Sequence, residues 1–350
     1  GDLGPISFWP YGGFTRANEQ PDIIFAGRVY KGDFNKVIDG VPRSDVWRCY
    51  DLRTGEIIWE QYPVTQEPTY IVYTERDSET VPGEVARKQG LSVDLLYVGN
   101  SRYIKYDPWT GAVTLNMSTA SLTSGVLYAD PFLLTVQSLG NSVPVAQRYR
   151  LINWTVGRDA DGVVRLQILN NITWPFSNIG SRQDFQAGIS IAYSGINDAS
   201  TGVTRDYYFT AVSLTTGQIL WNKTANVGYG MFSGSTAVAD HGKFAARFND
   251  GNWHCWDLYS GNKLWKSEPT SWPWSTFGCY DVDSAYGKIF SCQYDGVVAL
   301  DWETGENVWH FEPFAEYPYE TPYQSHIPFF SQSWIADGKF YTFGNEHSIS

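Results

Sequence analysis

Methionine, cysteine and histidine are scarce in this chain, at two, four and five of 350 residues. The histidines are His241, His254, His310, His326 and His347, and they form neither H-x-H nor H-E-x-x-H, so the helical zinc-hydrolase motif is missing. His254 and His310 alternate with aromatic residues on strand-like stretches and read as structural or solvent-facing. Cys49, Cys255, Cys279 and Cys292 contain no C-x-x-C pair, which removes the common zinc, dithiol and c-type haem motifs. Basic residues are in deficit, 25 against 37 acidic, and a net charge of −12 argues against a nucleic-acid partner, which needs a basic face. No stretch of 18 uncharged apolar residues exists, so no membrane span is expected. Gly1-Asp2-Leu3 opens without a basic region and apolar run, so a signal peptide is expected to be absent or removed. There is no G-x-S-x-G elbow. Gly228–Gly234 lacks the G-x-G-x-x-G spacing and leads toward a strand, where no helix N-terminus can hold a phosphate. Asp159-Ala160-Asp161-Gly162 lacks the later oxygen ligands of a calcium loop and reads as a hairpin turn.

What the chain has in abundance is turn glycine and aromatic residues, 33 Gly and 16% Phe, Trp and Tyr, enough for an extensive all-β core. One short phrase recurs: DLRTGEIIW at 51–59, DPWTGAVTL at 107–115, SLTTGQILW at 213–221, DLYSGNKLW at 257–265 and DWETGENVW at 301–309. Gly217 to Gly261 and Gly261 to Gly305 are both 44 residues, and the 106 residues from Gly111 to Gly217 leave room for two units of about 53. A fixed period of this size marks stacked supersecondary units. In each phrase the Asp can bond backbone two residues on and the Gly supplies positive φ, which makes a tight turn between two strands. The strand after the turn ends in a large apolar residue: Trp59, Trp221, Trp265 or Trp309. These tryptophans are expected to pack between neighbouring sheets. A second phrase, with Gly–Lys near 242, 287 and 338, marks a hairpin before the first, giving four strands per unit.

The pattern D-x-x-T/S-G-x-x-x-W at this spacing resembles the pyrroloquinoline quinone (PQQ)-like β-propeller repeat. The resemblance is strong over 203–312, good over 25–60, weaker over 94–118 and poor over 126–170. It implies an all-β propeller of six to eight four-stranded blades, about 44–53 residues each, over 25–350. The blades fall near 25–60, 68–118, 122–170, 186–224, 231–267 and 276–312, with the opening strands of another at 331–345. Residues 1–24 are expected to pack on the propeller, and the last blade to be closed by the N-terminus or continued in a longer chain. In the quinone dehydrogenases of this family, PQQ lies against a disulfide of adjacent cysteines, beside a calcium ion and a catalytic Asp. This sequence has no adjacent cysteines and no haem motif, so no residue inherits a catalytic, cofactor or metal role.

Cys279 and Cys292 would face one another across a hairpin and could form a disulfide; four buried thiols is the plainer alternative. Sequons at Asn116, Asn153, Asn171 and Asn222 tilt the reading toward an extracellular or cell-surface glycoprotein. Aromatic–Pro–aromatic triplets occur at Trp9-Pro10-Tyr11, Trp174-Pro175-Phe176, Trp272-Pro273-Trp274 and Tyr317-Pro318-Tyr319, the last three in the links between blades. Proline holds its neighbours extended and presents both rings stiffly. Trp174, Phe176, Trp272, Trp274, Tyr317, Tyr319, Tyr323 and His326 therefore form the candidate binding or assembly face. The function that follows is a non-catalytic extracellular scaffold that binds a protein, a glycan or copies of itself. A PQQ-dependent dehydrogenase and a self-assembling surface protein are the alternatives.

Overall fold

A computed structural model describes residues 23–342 apart from 34–35, 65, 76–90, 100–101, 119–124, 130–131, 159–160, 162, 232–236, 271–281, 294–295, 312–332 and 337. The fold is an all-β propeller of four-stranded antiparallel blades, and six complete blades fall within the described residues. The first comprises β1 (Ile23–Phe25), β2 (Arg28–Asp33), β5 (Val46–Asp51) and β6 (Ile57–Gln61), with a separate hairpin β3 (Lys36–Ile38) and β4 (Val41–Arg43) inserted between β2 and β5. The second is β7 (Tyr70–Glu75), β8 (Leu91–Gly99), β9 (Arg102–Tyr106) and β10 (Val113–Ser118). The third is β11 (Gly125–Ala129), β12 (Phe132–Ser138), β13 (Tyr149–Arg158) and β14 (Val164–Trp174). The fourth is β15 (Arg182–Asp184), β16 (Ile189–Asn197), β17 (Thr204–Ser213) and β18 (Ile219–Thr224). The fifth is β19 (Ala237–Asp240), β20 (Lys243–Arg247), β21 (Trp253–Asp257) and β22 (Lys263–Lys266). The sixth is β23 (Val282–Ala285), β24 (Lys288–Gln293), β25 (Gly296–Asp301) and β26 (Asn307–Phe311). A two-stranded sheet follows, β27 (Ser333–Ala336) and β28 (Lys339–Thr342). The expected blade limits match, and the first blade has its own complete inner hairpin. Residues 1–22 lie outside the described set.

The chain forms two compact units, Gly1–Thr135 with Ile152–Asn171, and Val136–Leu151 with Ile172–Ser350. Inside each, the core lies between successive sheets. In the first unit Tyr30, Trp47 and Cys49 meet Leu95, Ile104 and Tyr106. In the second, Phe209 and Trp221 meet Phe244, Trp256 and Leu258, and Trp253 and Trp265 meet Ile289, Leu300 and Trp302.

The recurring phrase builds one local structure. The aspartate Oδ1 accepts backbone N–H bonds from the second and third residues after it: Arg53 and Thr54 on Asp51, Trp109 and Thr110 on Asp107, Glu303 and Thr304 on Asp301. The Ser or Thr hydroxyl then accepts the N–H of the residue after the glycine, as Thr54 does from Glu56, Ser260 from Asn262 and Thr304 from Glu306. The glycine N–H returns to the carbonyl of the first phrase residue, with φ +72° at Gly55, +73° at Gly217, +68° at Gly261 and +74° at Gly305.

The phrase glycine also seats the tryptophan of the preceding blade. A Cβ on Gly261 would fall 2.6 Å from the Trp221 ring, and one on Gly305 would fall 2.4 Å from the Trp265 ring. Trp221 Nε1 donates to Leu258 O at 2.7 Å and Trp265 Nε1 to Trp302 O at 2.9 Å, in each case the carbonyl three residues before the glycine. In the first unit Gly111 seats Trp59 in the same way, with 2.8 Å to a Cβ. There Tyr30 Oη already donates to Pro108 O at 2.7 Å, so the buried Trp59 Nε1 is left without a partner. Trp309 departs from the expected packing role: it is 42% exposed, and no phrase glycine lies on it among the described residues.

Gly55 separates the two demands on the glycine, because a Cβ there would meet nothing within 4 Å although its φ is just as positive. Gly55→Ala is expected to cost about 1 kcal/mol, the left-handed conformation alone. Gly305→Ala adds overpacking against Trp265, about 1–3 kcal/mol more. Chemical denaturation of the two variants tests this; equal losses would show that the turn conformation, and not the ring, requires the glycine.

Candidate functional site

Antiparallel strand order gives every blade two ends. Turns between the first and second strands and between the third and fourth share one end, as the Leu258 N–H to Gly242 O bond of 2.8 Å shows in the fifth blade. The turn between the second and third strands shares the other end with the link to the next blade. There Thr270 N–H donates to Gly251 O and Asn249 N–H to Gly230 O, both at 2.8 Å.

At the link end of the fifth blade a buried polar knot holds the β20–β21 turn. Asp250 Oδ2 lies 3.0 Å from His254 Nε2 and 3.2 Å from Lys266 Nζ. Asn252 Nδ2 donates to Ser267 O at 2.7 Å, Trp253 N–H to Ser267 Oγ at 2.9 Å, and Arg247 Nη2 to Thr270 O at 3.0 Å. Residues 267–270 are thereby fixed to the turn, and they lead straight to Trp272-Pro273-Trp274. Burial holds the His254 imidazole below its ordinary pKa, against the opposing pull of Asp250. Burial would raise the Asp250 carboxyl, but the Asn252 N–H and His254 outweigh it and the net shift is downward. At neutral pH the knot is a neutral imidazole beside a carboxylate and an ammonium group. His254 is thus a core histidine, as expected, while His310 is exposed on β26.

The remaining candidate residues divide sharply. Trp174 is fully buried and its Nε1 donates to Asn178 O at 2.7 Å. It closes the core beneath its own link and is withdrawn from any contact face. Phe176 stands edge-on to it at 6.3 Å and is half-buried. Trp272, Trp274, Tyr317, Tyr319, Tyr323, His326 and the Trp9 triplet lie outside the described residues, as does Cys279 of the expected disulfide. Two further aromatics mark link ends: Tyr62, 44% exposed beneath the Arg43 guanidinium at 4.7 Å, and Tyr229, 50% exposed. Exposed rings also occur at the phrase end, at Trp109, Tyr259 and Tyr286. Trp109 and Tyr259 were legible: they hold the second variable position of D-x-x-T/S-G, whereas the first is buried at Leu258 and Trp302 and exposed at Leu52.

The sequons sit mostly where an enzyme could reach them. Asn116, Asn171 and Asn222 are exposed on the fourth strands β10, β14 and β18. Asn153 is half-buried on β13, within hydrogen-bond distance of Tyr128 Oη.

Residues 205–319 match the family model described as "Outer membrane protein assembly factor BamB". Over these residues the repeat is similar to that family's. This span holds the three most regular phrases and the links that follow two of them. No curated protein matches the chain. Among solved structures, the computationally designed Ika8 protein aligns at 10% identity over 93% of both chains, with a TM-score of 0.46. BamB from Moraxella catarrhalis aligns at 12% identity over 92% of this chain and 78% of its own, with a TM-score of 0.40. A PQQ-like propeller supports a binding or scaffold role in general. Cys49, Cys255 and Cys292 lie on separate sheets.

The knot predicts an acid-sensitive step. An unfolded histidine takes up a proton near pH 6.5, about the model-peptide value, but folded His254 does so only at lower pH. Stability conferred by its neutral form is therefore present above that pH and falls as pH drops below it. His254→Gln keeps a donor for Asp250 without titrating, so its melting temperature should decline less than the wild type's between pH 7 and pH 5. Parallel declines would remove His254 as the cause.

Proposed function

We propose that this protein is a non-catalytic scaffold of the cell exterior that binds a protein partner through the aromatic links of its blades. The observation that carries the reading is the polar knot at Asp250, His254 and Ser267. It spends buried hydrogen bonds on fixing the chain just before Trp272-Pro273-Trp274. A rigid platform of aromatic rings loses little entropy on binding, and Trp and Tyr dominate interface hot spots. The matching family model is described as an outer membrane protein assembly factor, which favours a protein over a glycan as the partner. Exposed sequons at Asn116, Asn171 and Asn222 on outer strands support an extracellular glycoprotein. No PQQ, calcium or other cofactor enters this function.

The test replaces Trp272 and Trp274 together with Ala and follows both stability and partner recovery from the native cell surface after cross-linking. Loss of recovery by tenfold or more, at an unchanged melting temperature, is the expected result. A change in stability alone would overturn the binding face. Binding to a glycan array, or a tryptophan-dependent dimer in sedimentation, would replace the protein partner by a sugar or by a second copy.

A further inference from the structure

All four sequons lie on strands, and their geometry separates one from the other three. Asn153 is half-buried on β13 and bonded to Tyr128 Oη through both of its side-chain polar atoms, at 2.9 and 3.1 Å. Asn116 Oδ1 accepts a hydrogen bond from Arg102 Nη1 at 3.1 Å. In the sequon of Asn171 the Thr173 hydroxyl accepts one from Arg150 Nη1 at 2.9 Å. In Asn222-Lys223-Thr224, by contrast, neither the side-chain amide nor the threonine hydroxyl bonds to any of the described residues.

The strand beneath Asn222 is fixed from one side only. Trp221 is buried on Gly261 and donates to Leu258 O. Lys223 Nζ donates to Ser260 O at 2.8 Å and to Asn262 Oδ1 at 3.0 Å. These two side chains flank Asn222 in sequence and tie one face of β18 to the fifth blade. Strand alternation puts Asn222 and Thr224 on the opposite face. Asn222 pairs with Thr210 of β17 and Thr224 with Tyr208. Tyr208, 50% exposed, is therefore the diagonal neighbour of Asn222, within reach of a large group attached there. Leu220, two residues before Asn222, is 43% exposed. An uncommitted amide thus stands beside two exposed apolar side chains.

We propose that Asn222 carries an N-linked glycan whose first sugar lies on Tyr208 and Leu220, while Asn153 stays unmodified; this rests on the exterior location proposed above. Asn222 Nδ2 bonds to the anomeric carbon of a sugar donated by a lipid-linked oligosaccharide phosphate. The carbon–oxygen bond to that phosphate breaks, the phosphate leaves with the electron pair, and the amide loses one proton. The apolar face of the pyranose ring then takes the Tyr208 and Leu220 surface out of water, and its hydroxyls face solvent. At Asn153 the same bond would cost the two Tyr128 hydrogen bonds and leave a half-buried hydroxyl without them.

Glycopeptide mass spectrometry of the full chain from its native cells should find sugar on Asn222 in most molecules and none on Asn153. Thr224→Ala should lower Asn222 occupancy at least tenfold, whereas Thr224→Ser should retain it, because the sequon needs the hydroxyl and not the methyl group. Oxidative footprinting should show Tyr208 protected in the modified chain and several-fold more reactive in the Thr224→Ala variant. Labelling of intact cells with a membrane-impermeant amine reagent reports location separately. An unmodified Asn222 on a chain that is labelled would overturn the assignment and leave the exterior scaffold standing; an unmodified chain that the label does not reach would overturn both. Modification of Asn153 to the same extent as Asn222, or equal reactivity of Tyr208 in the two proteins, would also overturn it.

Discussion

A glycine in the phrase D-x-x-T/S-G satisfies two constraints at one atom. The turn needs a positive φ, which any L side chain adopts at a cost of about 1–2 kcal/mol. The tryptophan of the preceding blade needs a flat floor, and a methyl group would stand inside its van der Waals surface at 2.4–2.9 Å for Gly305, Gly261 and Gly111. Neither demand alone would make the residue so insistently glycine. Together they turn a local turn into a joint between sheets, and at Gly261 and Gly305 the indole that the missing Cβ admits also donates its proton across the joint. At these three joints one blade is thus registered against the next at one defined point.

The turn and the joint are separable, and the chain itself shows this. Asp198-Ala199-Ser200-Thr201-Gly202 repeats the turn chemistry, with Ser200 and Thr201 N–H groups on Asp198 Oδ1 and Gly202 at φ +69°. It joins β16 to β17, however, at the opposite end of the blade, and no ring lies on Gly202. The phrase is therefore a turn-former wherever it occurs and becomes a joint only between third and fourth strands. Gly217 shows a second variation: its Cβ position is filled by the Thr173 carbonyl, since the third blade offers backbone where its neighbours offer an indole.

This explains what was legible in the sequence. Period, turn chemistry and the terminal tryptophan are all local or fixed in spacing, so blade limits could be drawn within a few residues over 203–312 and even at 25–60. The small residue two positions before the Asp, Cys49, Ala211, Cys255 or Ala299, was present in the same phrases, and its register opposite the tryptophan explains two of the cysteines as packing residues. Their thiols are raised by burial, as befits a small apolar filler. The fate of the aromatic triplets was less legible, because whether Trp174 turns in or out depends on where Asn178 O ends up, a tertiary fact with no spacing to announce it. The partner of Trp59 Nε1 was equally hidden, since it was lost to Tyr30, a residue 29 positions away on another strand of the same blade.

The two ends of a blade carry different burdens as a result. At the phrase end, side-chain oxygens and backbone carbonyls are committed to the turn and to the joint. At the link end of the fifth blade the knot around Asp250 has no counterpart in the phrase, and its buried imidazole brings acid sensitivity with it. The buried Asp250 carboxylate and His254 imidazole, beside the exposed Lys266 ammonium group, contribute less to net stability than apolar residues of the same volume often would. They lie at the base of a link, where the knot's hydrogen bonds hold residues 267–270 to the β20–β21 turn.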